Sequence, residues 1–173
     1  EWQKFCEKIS ELGKYLEDEG MPLAYHHHMG TVIETQKDTE RLIENTHESV
    51  KLTLDTGHML FAKGDSKYIL QNYHERILHV HCKDIRKQVL EKSLKEDLSF
   101  RGAFLEGAFT VPGDGCIDYQ PLFNVLKNNN YSGWLVVEAE QDPAKANPLE
   151  YAKIGYNYLT DTLKKSEIEI YKN

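Results

Sequence analysis

The stretch "RILHVHCKD", residues 76–84, alternates apolar and ionisable side chains and then ends in charge. At the strand period of two, His79, His81 and Lys83 share one side. The same design recurs three times along the chain. "LAYHHH" (residues 23–28) ends in His26, His27 and His28, "VKLTLDTGH" (50–58) in Asp55 and His58, and "GWLVVEAEQD" (133–142) in Glu138 and Glu140. Each apolar run stops in groups able to bind a metal or move a proton. His26 and His28 share a side, as do Glu138 and Glu140.

Between these runs lie helical patterns. Trp2, Phe5, Cys6, Ile9, Leu12 and Leu16 form one apolar stripe that Gly20 stops. Helices are expected from a Thr35 cap with Asp38 behind it, from an Asp65 cap, over most of 86–107, from an Asp118 cap, and from Pro148 in a first turn. Strands are expected near 22–27, 50–55, 77–82 and 134–138. Strand and helix alternating without hairpin signals imply parallel strands joined by right-handed crossovers. No Gly-x-Gly-x-x-Gly follows any strand, which disfavours dinucleotide binding on an open doubly wound sheet. A complete (β/α)8 barrel needs eight units in about 250 residues, and four strands with a leading helix amount to half of one. The expectation is an α/β chain, residues 1–173, forming a single partial domain. The chain begins inside a helix pattern, with no initiator Met and no cap before Trp2, and is expected to be a piece of a longer protein.

Composition narrows the function. The 173 residues are 40% hydrophobic and 28% charged, with a net charge of −7 and no Lys/Arg-rich run, so a nucleic-acid partner is not expected. No apolar stretch approaches the roughly 20 residues of a membrane helix, and no membrane association is expected. Cys6, Cys82 and Cys116 are odd in number and form no Cys-x-x-Cys pair. That disfavours a disulfide framework or thiolate zinc site and suits a cytoplasmic location.

Ligands gather at the carboxyl ends of parallel strands in such folds. His26, Asp55, His81 and Glu138, one from each strand end, make a candidate metal set of two imidazoles and two carboxylates. Nitrogen and oxygen donors without thiolate suit Mn²⁺, Co²⁺ or Zn²⁺. Glu138 follows Leu135, Val136 and Val137, where a charge is costly unless paired or metal-bound, and His81 raises the same problem.

These residues carry a family resemblance. "YHHHMGTVIET", "LDTGH", "HVHCKD", "FTVPGDGCID" and "GWLVVEAEQDP" resemble the inosose dehydratases of inositol catabolism, within the xylose-isomerase-like barrel superfamily. The resemblance runs from about Leu23 to about Leu163. It implies that the chain is the C-terminal half of a TIM barrel, about strands 5–8, lacking its N-terminal half. It also implies a divalent metal, Mn²⁺ or Co²⁺, on Asp55, His81, Glu138 and the strand ending at His26, with glutathione as an additional cofactor. Relatives carry Glu where His26 stands, so His28 is an alternative ligand. The remaining outer histidine would face substrate, and His27 would pack or hydrogen-bond against the flanking helix.

The implied reaction is dehydration of 2-keto-myo-inositol (scyllo-inosose), a cyclic polyol ketone, to a trihydroxycyclohexane-dione. It needs a base for the proton α to the ketone and an acid for the departing β-hydroxyl. His58, His79, Lys83 and Glu140 are the catalytic candidates, with base and acid undivided among them. His28 and Asp114 are substrate-binding candidates, Asp114 within a glycine-rich lid or substrate loop, "VPGDGCI". The runner-up is a keto-sugar isomerase or epimerase on the same barrel. A non-catalytic fragment is the third reading, and a homo-oligomer is compatible with all three.

Overall fold

The computed structural model describes residues 1–171. They divide into two compact units, Glu1–Val80 and a second beginning at His81.

The first unit opens with α1 (Trp2–Asp18), which packs on β1 (Leu23–His26) and β2 (Val50–Asp55). Cys6 and Gly13 are its buried positions, whereas Leu12, expected on the apolar stripe, is exposed. At Gly13 the helix lies close against the start of β2. A Cβ there would stand 2.9 Å from Ser49 Oγ and 3.1 Å from Val50 Cγ2. Next, β1 pairs with β2 in parallel, from Leu23 opposite Val50 to His26 opposite Thr53. Leu52 and Leu54 bury their side chains almost completely.

Between the two strands, α2 (Gln36–Asn45) starts in a reciprocal capping box. The Thr35 side chain accepts from Asp38 N–H, and Asp38 accepts from Thr35 N–H; such caps contribute about 1 kcal/mol. The strand β2 runs directly into a short helix, α3 (Thr56–Phe61), and then α4 (Ser66–Tyr73), capped by Asp65 as expected. A 3-10 turn, His74–Arg76, leads into β3 (Ile77–Cys82), the neighbour of β2. Arg76 anchors that entry, donating to the carbonyl oxygens of Ile43 (2.8 Å), His47 (3.1 Å) and Val50 (2.6 Å) and to Thr46 Oγ1 (2.8 Å).

In the second unit the end of β3 neighbours β6 (Trp134–Val137), with Glu138 N–H donating to Cys82 O at 3.3 Å. The expected long helix over 86–107 is two, α5 (Lys87–Lys95) and α6 (Phe100–Leu105). Asp97 takes a positive φ of 50° and Ser99 caps α6, so the chain turns between them. One feature departs from an all-parallel reading. β4 (Asp84–Ile85) and β5 (Phe109–Thr110) pair antiparallel as a separate two-stranded sheet. Finally, α7 (Tyr119–Asn128), capped by Asp118, packs with α8 (Pro148–Lys165), which carries Pro148 in its first turn. No helix of the described residues is long and apolar enough to cross a membrane.

Candidate functional site

In the first unit the polar cluster forms where β1 and β2 end. Asp55 is both the last residue of β2 and the N-cap of α3, its Oδ1 accepting from His58 N–H at 2.9 Å. Its Oδ2 faces His26 Nε2 at 3.4 Å. One ligand atom each from His26, Asp55 and His58 lies within 4.8 Å of the others. Asp55 and His58 are fully buried and His26 is partly exposed. His58, expected as an acid or base, therefore stands within ligand reach of His26 and Asp55. Imidazole and carboxylate donors at this spacing fit a borderline divalent ion.

β1 ends at His26, so strand alternation does not reach His27 and His28, yet burial still alternates through the triplet. His26 and His28 are half-buried, and His27 is fully buried. His28 Nδ1 lies 2.7 Å from Met29 O, so that nitrogen carries the proton, and its ring sits 3.7 Å from the ring of His58. His27, expected to pack or hydrogen-bond against the flanking helix, accepts through Nε2 from the N–H of Asp55, the N-cap of α3, at 3.1 Å. Burial drives its pKa down to about 3, which keeps it neutral.

In the second unit His81, Lys83, Glu138 and Glu140 come together. Lys83 is completely buried, and its Nζ lies 2.9 Å from Oε2 of Glu138 and 2.9 Å from Oε2 of Glu140. His81 Nδ1 lies 3.2 Å from Glu138 Oε2. Two carboxylates offset the desolvation of one ammonium. Tyr119, fully buried on α7, donates its hydroxyl to Lys83 O at 3.0 Å, fixing the backbone below the charge. His79 is half-buried within β3.

The loop expected as a lid is held on three sides. Asp114 accepts from Arg86 at 2.6 Å and from Thr110 Oγ1 at 2.6 Å. Gly113, at φ +89°, lies against the Tyr158 ring, where a Cβ would come within 2.8 Å. Asp84 Oδ1 accepts from Ile85 (2.7 Å), Cys116 (2.9 Å) and Ile117 (2.9 Å) N–H groups, and burial raises its pKa. Asp84 is expected only as one of the ionisable groups that close the third strand, and Arg86 has no expected role. Asp84 was visible as a charge directly after a strand, but its partners lie about thirty residues on.

A family model described as xylose isomerase-like TIM barrel matches residues 1–162. Curated relatives include an inosose dehydratase of Clostridium beijerinckii, 50% identical over 162 residues, covering 93% of this chain and 54% of that protein. An inosose dehydratase of Halalkalibacterium halodurans is 48% identical, covering 94% of this chain and 54% of that protein. The chain thus spans about half the length of the curated relatives it matches. Among solved structures, a probable 3-DHS dehydratase, AsbF, of Bacillus anthracis superposes with a TM-score of 0.72 at 18% identity, covering 92% of this chain and 57% of that one. The IolI protein with a bound zinc atom gives 0.67 at 20% identity, covering 91% and 54%. At that identity these two show the fold. On the family match, the chain belongs to the xylose isomerase-like TIM barrel family.

Proposed function

We propose that residues 1–173 are the second half, about strands 5–8, of a single TIM-barrel domain, and that the whole protein is a metal-dependent inosose dehydratase. The observation that carries this reading is the 50% identity to a curated inosose dehydratase across 93% of the chain. The proposed substrate is scyllo-inosose, and the product is the trihydroxycyclohexane-dione left after one water is lost. Mn²⁺ or Co²⁺ is the proposed ion, with His26, Asp55, His81 and Glu138 as ligands and His28 as the alternative to His26. Support comes from the nitrogen and oxygen donors at the strand ends, from the spacing of His26, Asp55 and His58, and from the zinc atom in IolI. Glutathione, a cytoplasmic location and a homo-oligomer belong to this reading through the family resemblance and the composition.

A bound divalent ion would supply Lewis acidity toward the ketone oxygen. The chain's own groups then do the rest. Lys83 places a positive charge where negative charge develops on the substrate oxygen as the α proton leaves. His58, His79 and Glu140 remove the α proton and return one to the departing hydroxyl. His28 and Asp114 bind hydroxyls of the ring.

The test is direct. Full-length protein reconstituted with Mn²⁺ or Co²⁺ should convert scyllo-inosose to the dehydrated dione and stop on addition of a chelator. Activity that survives the chelator overturns the metal reading. Epimerisation of keto-sugars without loss of water would replace dehydration by the runner-up chemistry.

A further inference from the structure

The backbone ladder between β1 and β2 ends at the pair His26 and Thr53. Beyond it, Asp55 N–H finds its acceptor on a side chain, Nε2 of His27, at 3.1 Å. His27 is 0% exposed, as is Asp55. A ring nitrogen accepts only when it carries no proton, so His27 must hold its hydrogen on Nδ1. That Nδ1 is buried and has no hydrogen-bond partner among the described residues. A buried donor without a partner is destabilising, so a residue that served packing alone would be better apolar. What the imidazole provides at this position is the acceptor.

The consequence falls on Asp55. Its N–H is tied to His27 and its Oδ1 to the His58 N–H at 2.9 Å, which leaves Oδ2 directed at His26 Nε2 at 3.4 Å. Main chain and carboxylate are thus fixed separately, by residues from different elements. We infer that His27 is a positioning residue, whose Nε2 continues the β1–β2 ladder by one side-chain bond and so aims the Asp55 carboxylate at a divalent cation. The inference rests on the metal reading above for what Asp55 is aimed at, while the bond itself stands apart from it. The middle histidine of the triplet touches no substrate. It holds the neighbouring strand in place for its outer partners.

The experiment uses full-length protein with His27→Phe and His27→Gln, since Phe keeps an aromatic ring without an acceptor and Gln Oε1 offers one near the Nε2 position. Three quantities are read: the His27 tautomer from ring ¹⁵N shifts, the exchange rate of the Asp55 amide, and Co²⁺ or Mn²⁺ binding by titration. The wild type should show the Nδ1–H tautomer and a slowly exchanging Asp55 amide. His27→Phe should exchange faster at Asp55 and bind the ion about 10–100-fold more weakly, as when the outer partners of metal ligands are removed. His27→Gln should recover most of both. An Nε2–H tautomer, or wild-type binding and exchange in a folded His27→Phe, overturns the inference. If His27→Phe does not fold, a folded His27→Gln that still loses the ion overturns it, and one that keeps the ion supports it. If the wild type binds neither ion, the metal reading falls; the tautomer and the Asp55 amide then decide the positioning bond by themselves.

Discussion

Lys83 Nζ lies 2.9 Å from Glu138 Oε2, and the lysine side chain has no exposure to solvent. A buried ammonium needs fixed negative charge nearby, which couples the proposed oxyanion stabiliser to a proposed metal ligand. Lys83→Ala should lower kcat by about 10²–10³, the range found when one electrostatic donor to a developing oxyanion is removed. Metal affinity should change far less. Lys83→Arg should not restore kcat, because a planar guanidinium does not fit a site shaped for a compact charge. Steady-state dehydration kinetics together with a metal titration check both statements.

Glu138→Gln separates the two duties of that carboxylate. The amide keeps the shape but withdraws the charge next to both His81, at 3.2 Å, and Lys83. Lys83 retains Glu140 at 2.9 Å, so the fold should persist. Turnover should nearly vanish and the ion should be released at lower chelator concentration than in the wild type. Wild-type turnover in this variant would remove Glu138 from the proposed ligand set.

What could be read from the sequence was local. The strand ends announced themselves because four apolar runs each stop in ionisable residues, and the Thr35, Asp65 and Asp118 caps sit directly before amphipathic runs. The α3 turn was missed because Asp55 serves β2 and caps α3 at once, so no loop separates the two elements. The β4–β5 pair has two residues per strand, too few to show a period, and its partners lie over twenty residues apart. His27 could be placed on the opposite face from its neighbours. Its bond to Asp55 depends on strand register, which no periodicity in residues 23–28 reveals.

Packing in the second unit should be intolerant of a methyl group at Gly155. A Cβ there would stand 2.5 Å from Val137 Cγ1 and 3.1 Å from Val111 Cβ. Both neighbours are β-branched and stiff at χ1, so neither yields easily. Overpacking of this kind costs about 1–3 kcal/mol, against roughly 1 kcal/mol gained from replacing a helical glycine by alanine. Gly155→Ala should therefore be net destabilising, seen as a lower urea midpoint with an unchanged slope. A raised midpoint would mean that α8 can move off β6 without loss.

Asp84 gives a pH signature. Its carboxylate is almost fully buried while Oδ1 accepts three backbone N–H bonds that hold the loop at Cys116 and Ile117. Burial raises its pKa above the ordinary 3.8 despite those bonds. For a group raised in the folded state, the stabilising contribution is complete below the unfolded value and is lost as pH rises through the folded one. Asp84→Asn keeps an acceptor oxygen for the three donors and does not titrate. Asp84→Ala leaves them without that acceptor and should cost about 1–3 kcal/mol. The wild type should therefore gain stability relative to Asp84→Asn as pH falls from 7 toward 4, whatever other carboxylates do to both proteins. Urea midpoints of the pair at several pH values measure that difference. A gap that stays constant would show that the backbone donors balance burial, and one that turns toward Asp84→Asn on acidification that they outweigh it; either result overturns the raised pKa.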